Sequence, residues 1–438
     1  MHGNRRYVKL AWIGLISGFA LALPSPGAAE VVPLSAEQPF LSVGRDGTPY
    51  VGDVFAQDLY VAKRGAAGWS VARPGRVPSS KAAVAGLVVN RAGAWTALVE
   101  EEAGAWLALG TRSRLRVVAR APAGGSFGPA GLTLDAAGRP AIAYALRRSS
   151  GKTYLRLVTT NARGRLRTQA VTKAGFPDSE IAPGAVPVLV SGRLHVVETY
   201  TSAAIDWQPQ KKGGWIGQYL FASRLGTPAG RVGAAAAGRA LWSAWTQLYP
   251  ETWSVLLTLS ADTQETNTVV PHGIFVSLLL AGGRPELGAN DWADIGESHD
   301  YAGVIADTSG VIAELDGRLD GYALAPGGGR QLLLSNGRKL AWFETPTRPA
   351  VRVSVTADDA GRVTGRVDGA PAGGSVQLYR EQPGVDRTLV ATVTTAPDGS
   401  FTAQDTAPAS PTLYRAVYAD PASGTPYASL LRTPVGPP

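Results

Sequence analysis

The sequence predicts an all-β protein: a seven-bladed β-propeller, with six blades as the alternative count, followed by a β-sandwich. Three observations lead there. A glycine turn followed by an alternating apolar strand recurs at a nearly constant spacing between residues 35 and 345. No segment of that span carries a convincing helical apolar period. After Pro346 and Pro349 the rhythm changes to seven shorter alternating strands in roughly 90 residues.

Residues 1–29 precede the repeat and are not part of the fold. His2, Arg5, Arg6 and Lys9 form a positive start, LAWIGLISGFALAL (10–23) is an apolar run, and PSPGAAE follows with small residues at Gly27 and Ala29. That is the order of a secretory signal peptide cleaved after Ala29, the rival being a retained N-terminal anchor; the run is short for a membrane span. No later stretch is apolar over the roughly 18 residues that spanning needs, so no transmembrane segment is expected once the signal is removed. With no cysteine, a lipid-modified cysteine and disulfides are excluded, and packing alone must supply stability. The expected location is secreted, extracellular or cell-surface.

The formal charge of +8 falls on processing, leaving 39 basic and 34 acidic residues. The basic residues stand mostly singly, in Gly-Arg turns, and RSRLR (112–116) and ARGRLR (162–167) alternate with apolar residues as strands with an exposed basic face do. A nucleic-acid partner is therefore not expected.

The propeller rests on its turns. RDGTPYVGDV (45–54), RAGAWTALVE (91–100), AAGRPAIAYA (136–145), SGRLHVVETY (191–200), AAGRALWSAW (236–245), GGRPELGAN (282–290) and NGRKLAWFET (336–345) form the series. Their reference glycines, Gly47, Gly93, Gly138, Gly192, Gly238, Gly283 and Gly337, are 46, 45, 54, 46, 45 and 54 residues apart. Gly317 marks an additional hairpin within the last long interval. Glycine suits these places because tight hairpins need positive φ. Each interval holds about four short strands, and one such sheet cannot bury both its faces alone. Residues 129–171 show the filling, with turns at Asp135 to Gly138 and at NARG. EVVPLSA (30–36) is free to pair with the last blade and close the ring, giving a propeller over 30–346.

The recurring strand, Asp-x-x-Gly-Arg turn and second strand, plainest in LTLDAAGRPAIAYA, resemble the neuraminidase-like (BNR-type) repeats of secreted bacterial propellers. The resemblance implies the fold. The Ser-x-Asp-x-Gly-x-x-Trp box of that family is absent, so no site residue is carried over from it.

Residues 349–438 read as a Greek-key sandwich: AVRVSVTA, GRVTGRVDG, GSVQLYR, RTLVATVTT, GSFTAQD, TLYRAVYA and PYASLLR supply seven strands. VTTAPDGSFTAQD (393–405) and YRAVYAD (414–420) resemble the cysteine-free immunoglobulin-like and fibronectin-III-like modules of exported bacterial proteins. That resemblance implies a spacer or adhesion role.

In a propeller, second strands end on one face, so register pools distant residues. Six to eight positions past the reference glycines lie Asp53, Glu100 and Glu101, Tyr144, Glu198 and Tyr200, Trp245, Asn290 and Glu344. Long insertions leave from the same rim: TYTSAAIDWQPQKKGGWIGQY (199–219), LYPETW (248–253) and NDWADIGESHDYAG (290–303). Trp207, Trp215, Trp292 and Tyr249 are the candidate ligand-binding rings, set to stack on sugars or anchor a partner, the other reading being plugs that pin loops to the body. Glu198, Glu251 and Asp291 are candidate catalytic carboxylates, which acid–base chemistry would hold about 5–9 Å apart; each also reads as a rim charge or turn cap. Asp291, Asp294, Glu297 and Asp300 are hard oxygen donors of the kind Ca2+ takes, though without EF-hand spacing, and equally suit a solvated loop. Zinc is disfavoured, because His299 has only carboxylates nearby.

The expected function is non-enzymatic recognition of a glycan or surface protein by the propeller loops, with the sandwich as spacer. The alternatives are a glycoside hydrolase or polysaccharide lyase on the same frame, and a structural part of a cell-surface assembly. Enzymatic activity is left open.

Overall fold

The computed structural model describes residues 29–35, 37–173, 175, 184–200, 203–222, 227–248, 253–259, 266–271, 273–295, 298–336, 339–345, 351–358, 360–382, 385–407 and 413–429. The expected signal segment lies outside them, apart from Ala29. All regular structure among the described residues is β, and no helix there is long and apolar enough to cross a membrane.

Residues 30–345 form successive four- and five-stranded antiparallel meanders, the construction of a multi-bladed propeller. The first sheet runs Phe40–Val43, Pro49–Phe55, Asp58–Gly65 and Gly68–Arg76. The second runs Ala82–Val89, Trp95–Glu101, Trp106–Thr111 and Arg114–Arg120. The third has Gly131–Leu134, Pro140–Arg147, Thr153–Thr160 and Leu166–Ala170, with Ser126–Phe127 added. The fourth has Ala185–Val190, Arg193–Tyr200, Ala203–Pro209 and Trp215–Ala222. The fifth begins with Thr227–Ala237 and Ala240–Leu248, and the sixth with Gly273–Ala281 and Arg284–Ile295. The last has Arg318–Leu324, Arg330–Asn336 and Lys339–Thr345, completed by Glu30–Val31 from the other end of the chain.

The Asp-x-x-Gly-Arg turns owe their shape to their first residue. Asp135 accepts the N–H groups of Ala137 and Arg139 on Oδ1, both at 2.9 Å, and Arg139 Nε on Oδ2 at 2.9 Å. Gly138 then takes φ of 73° and donates to the Asp135 carbonyl. Asn90 and Asn161 hold their turns through the same pair of N–H bonds.

Sheet packing closes a ring. The first strands of successive sheets lie side by side, and Arg318–Leu324 lies beside Phe40–Val43. Each junction traps its own apolar cluster: Tyr50 and Leu59 with Val84 and Trp95 between the first two sheets, Leu98 with Ile142 at the next, Leu155 with Val196 after that. At the seam, Leu333, Leu340 and Trp342 meet Leu41, Val51 and Ala62. Glu30 pairs with Trp342 in register, and its carboxylate takes Nε and Nη2 of Arg64 in the first sheet at 2.8 and 2.6 Å. That guanidinium stacks over the Trp342 ring at 4.9 Å. Glycine lets the inner strands approach: a Cβ on Gly321 would fall 2.4 Å from that of Leu41.

Two expectations need correction. Gly337 lies outside the described residues, in the link between the second and third strands of the last sheet; the equivalent first turn is at 325–329, with Gly328 at φ 85°. Gly328 follows Gly283 by 45 residues, matching the commoner interval. Gly317 is not a hairpin within a blade, since it joins the sixth sheet to the last.

The seven strands expected after Pro349 are all present. Arg352–Ala357, Arg362–Asp368 and Ser400–Gln404 form one layer. Ser375–Gln382, Val385–Thr394, Leu413–Ala419 and Pro426–Ala428 form another, which continues the sixth propeller sheet where Tyr427 pairs with Leu315. Val355, Val363, Leu378, Tyr418 and Phe401 share one apolar cluster with Leu315, Leu319 and Phe343 of the propeller. At this junction Asp316 accepts Nη1 of Arg387 at 2.9 and 3.0 Å and Nη1 of Arg415 at 3.1 Å, while its own N–H donates to the Pro426 carbonyl at 2.8 Å.

Candidate functional site

Turns between first and second strands lie at one end of the ring, so first strands begin, and second strands finish, at the other. There a funnel of about 820 Å³ opens along the axis, walled by Phe40, Val54, Glu100, Phe127, Thr246, Phe275, Asn290 and Tyr322. It draws on every sheet of the ring except the fourth. Around its mouth stand Glu37, Lys81, Glu101 and Glu102.

Bulges in the inner strands aim charge into it. Pairing slips between Ala229 and Val232, inserting Gly230 and Arg231, and between Leu319 and Gly321, inserting Asp320. Arg231 donates from Nη2 to the Val84 carbonyl at 2.9 Å, and the same nitrogen lies 3.5 Å from Glu100 Oε1. Its guanidinium carbon is 5.8 Å from the Phe40 ring. The fifth and second sheets are far apart in the ring, so this side chain bridges the axial opening. Arg318 pairs with Asp320 at 2.7 Å. Burial pushes the Asp320 carboxyl up to about 6, against the opposing pull of Arg318.

Several rim residues pooled from the sequence do reach the funnel, but as ties between neighbouring sheets. Glu100 Oε2 accepts the Ala130 N–H at 3.0 Å, from the second sheet to the approach of the third. Asn290 accepts the Leu319 N–H at 2.7 Å and donates to the Leu319 carbonyl at 2.9 Å. Thr246, one position past Trp245, accepts the Phe275 N–H at 2.9 Å. Asp53 is buried and accepts from Ser35 and, at 2.8 Å, from the Val54 N–H; burial still pushes it up to about 6. Glu344 lies in the third strand of its sheet and does not share this position.

Of the candidate carboxylates, Glu198 and Asp291 do not line the funnel. Glu198 is fully buried among the third and fourth sheets, with Oε2 accepting Trp207 Nε1 at 2.9 Å and Oε1 without a hydrogen-bond partner among the described residues. Burial pushes it up to about 7, against the indole N–H that favours its ionised form. Asp291, half-buried, pairs in register with Gly273 and Ala302 and is not part of the funnel wall. Glu251, Tyr249 and Glu297 lie outside the described residues.

Trp207 and Trp215 are not on loops at the funnel rim. They belong to the strands Ala203–Pro209 and Trp215–Ala222, paired across Pro209 and Trp215, and their connecting turn lies at the end of the ring away from the funnel. Both pack, half-buried, against the cluster of Leu155 and Val196. The acidic stretch at 290–303 is likewise a strand pair rather than a loop, with Trp292 opposite Tyr301, Ala293 opposite Asp300 and Asp294 opposite His299. Of Trp292, Asp294 and Asp300 only the backbone is described. Among the described residues no group of three or more His, Asp or Glu is placed to hold a metal ion.

Sequence reasoning missed Glu37, Lys81, Arg231, Arg318 and Asp320. Arg231 left a faint signal, as the one charge in the small-residue strand TPAGRVGAAAA, directly after a glycine.

No protein-family model and no curated protein matches the chain. Solved structures similar to it include AofleA from Arthrobotrys oligospora, 11% identical over 67% of this chain and 92% of that one, with a TM-score of 0.41. A protein of unknown function from Dyadobacter fermentans is 10% identical over 73% and 98%, TM-score 0.38. An ulvan lyase, solved bound to GlcA(1-4)Rha3S units, is 9% identical over 86% and 97%, TM-score 0.37. Likenesses this distant leave the site to be argued from its own geometry.

Proposed function

We propose that the chain is an exported, non-catalytic recognition protein whose axial funnel takes a glycan. In this reading residues 1–29 are the signal peptide and 30–346 a seven-bladed propeller latched by Glu30–Val31. Residues 349–438 are an immunoglobulin-like sandwich. Fused to the sixth blade by strand pairing and a common core, the sandwich acts as a fixed buttress rather than a spacer.

The observation that carries the reading is the make-up of the funnel. Its volume suits a few sugar rings, its wall alternates aromatic and aliphatic surface with hydrogen-bonding groups, and its deepest charges are paired, Arg231 with Glu100 and Arg318 with Asp320. Paired charges offer donors and acceptors to hydroxyl groups without demanding a counter-charge. An acid–base enzyme needs a proton-holding carboxyl facing the ligand. Of the carboxyls raised here, Asp53 and Glu198 are turned into the fold and held by Val54 N–H and Trp207, and Asp320, in the funnel wall, is tied to Arg318.

The test is a glycan array probed with the full chain beside Glu102→Gln and Lys81→Ala at the mouth, with product analysis of every glycan bound. Binding that the mouth variants weaken, with no bond cleaved, supports recognition. Turnover abolished by a single carboxylate variant would overturn it in favour of a hydrolase or lyase.

A further inference from the structure

Resting on that reading, we infer that Arg231 is the closed floor of the funnel and reads the terminus of a neutral oligosaccharide. The inserted pair Gly230 and Arg231 turns this side chain off its strand and across the axis, to Val84 and Glu100 on the far side. A chain entering the funnel therefore meets a guanidinium end-on and cannot thread through.

The chemistry of the floor sets the ligand class. Guanidinium carries five N–H donors in a planar fork and no acceptor. Val84 and Glu100 engage Nη2 alone, and Nε and Nη1 make no hydrogen bond among the described residues. The remaining donors, Nε–H and the Nη1 hydrogens, diverge by about 120° in the guanidinium plane, so each is free to meet a separate hydroxyl of a terminal sugar. Glu100 offsets the charge of the fork, and the mouth above holds Glu37, Glu101 and Glu102 against Lys81. A carboxylated or sulfated sugar would pass that acidic mouth to reach a cation already paired, so neutral sugars are preferred.

The test uses the full chain and an array of short neutral oligosaccharides, their uronic-acid-terminated counterparts, and cyclic saccharides that have no terminus. Wild type should bind the neutral linear set and ignore the cyclic one. Arg231→Lys keeps the charge but loses the fork, and should lower affinity for linear chains by about tenfold or more, the worth of a charged hydrogen bond, with an unchanged melting temperature. Glu100→Gln keeps an acceptor for the Ala130 N–H while unpairing Arg231, and should shift preference toward the uronic-acid-terminated set. It also serves if Arg231→Lys fails to fold. Linear chains bound equally well by wild type and both variants, or cyclic saccharides bound as well as linear ones, would overturn the role of Arg231 and leave the glycan reading standing. No saccharide bound by wild type would overturn both.

Discussion

The funnel mouth and the junction with the C-terminal unit use the same residue types to opposite ends. At the mouth Glu37, Lys81 and Glu102 are exposed to water. At the junction the Asp316 carboxylate is buried against Arg415 and the half-buried Arg387, and Glu381 lies 3.4 Å from Arg415. Charges in water are cheap to hold and free to exchange partners, which suits a binding surface. Charges removed from water must find fixed partners, and losing one strands the rest. Burial, rather than residue type, separates the exposed carboxylates of the mouth from the structural ones of the junction.

The contrast between mouth and junction is sharpest at Asp316. Asp316→Ala leaves the buried Arg415 and the half-buried Arg387 without their shared carboxylate and should cost about 3–5 kcal/mol in denaturant unfolding. A loss below about 1 kcal/mol would mean that the junction charges are as replaceable as those at the mouth. Burial alone would raise this carboxyl, but Arg387 and Arg415 hold it below the usual carboxylate range. Its stabilisation is therefore complete at neutral pH and is lost as pH falls through the depressed value. Asp316→Asn should remove that acid-side loss.

The seam of the ring comes next. Gly321→Val places a side chain against Leu41 and should cost about 1–3 kcal/mol, read as a lower denaturant midpoint. Glu198→Gln tests a buried carboxyl of the opposite sign. Because its folded pKa is raised to about 7, the unfolded chain sheds its proton first, and stability falls as pH rises from its ordinary value to about 7. The amide can still accept the Trp207 N–H, so the variant should lose less stability than wild type between pH of about 5 and about 8. Identical slopes would place the ionisation elsewhere. The smallest effect is expected for Glu102→Gln, with melting unchanged and only ligand affinity moved.

Much of the frame was legible because its causes are local. Asp135 and Gly138 make their turn with the residues between and beside them, so the same signal recurs wherever that spacing does. Where the chemistry of a turn is shared by unequal places, the signal misleads: Gly337 looks like Gly138 yet lies one turn further along its sheet. The site was less legible. Pooling by register did bring Glu100, Glu101 and Asn290 to the funnel, but nothing in the sequence tells that Asn290 spends its amide on Leu319. Trp207 and Trp215 stand among glycines and polar residues, as loop residues do, yet strand pairing and the cluster of Leu155 and Val196 hold them. Arg231 was invisible because a bulge, not a motif, aims it.

By itself the sequence settled the β class, six of the seven reference turns, the repeating sheets and the change of rhythm after Pro349, since alternation and glycine turns act over a few residues. Only the tertiary structure decided which charges face water, which are tied across a sheet boundary, and that the C-terminal strands continue the sixth sheet. Those outcomes depend on distances between residues far apart in the chain, which the closing of the ring sets all at once.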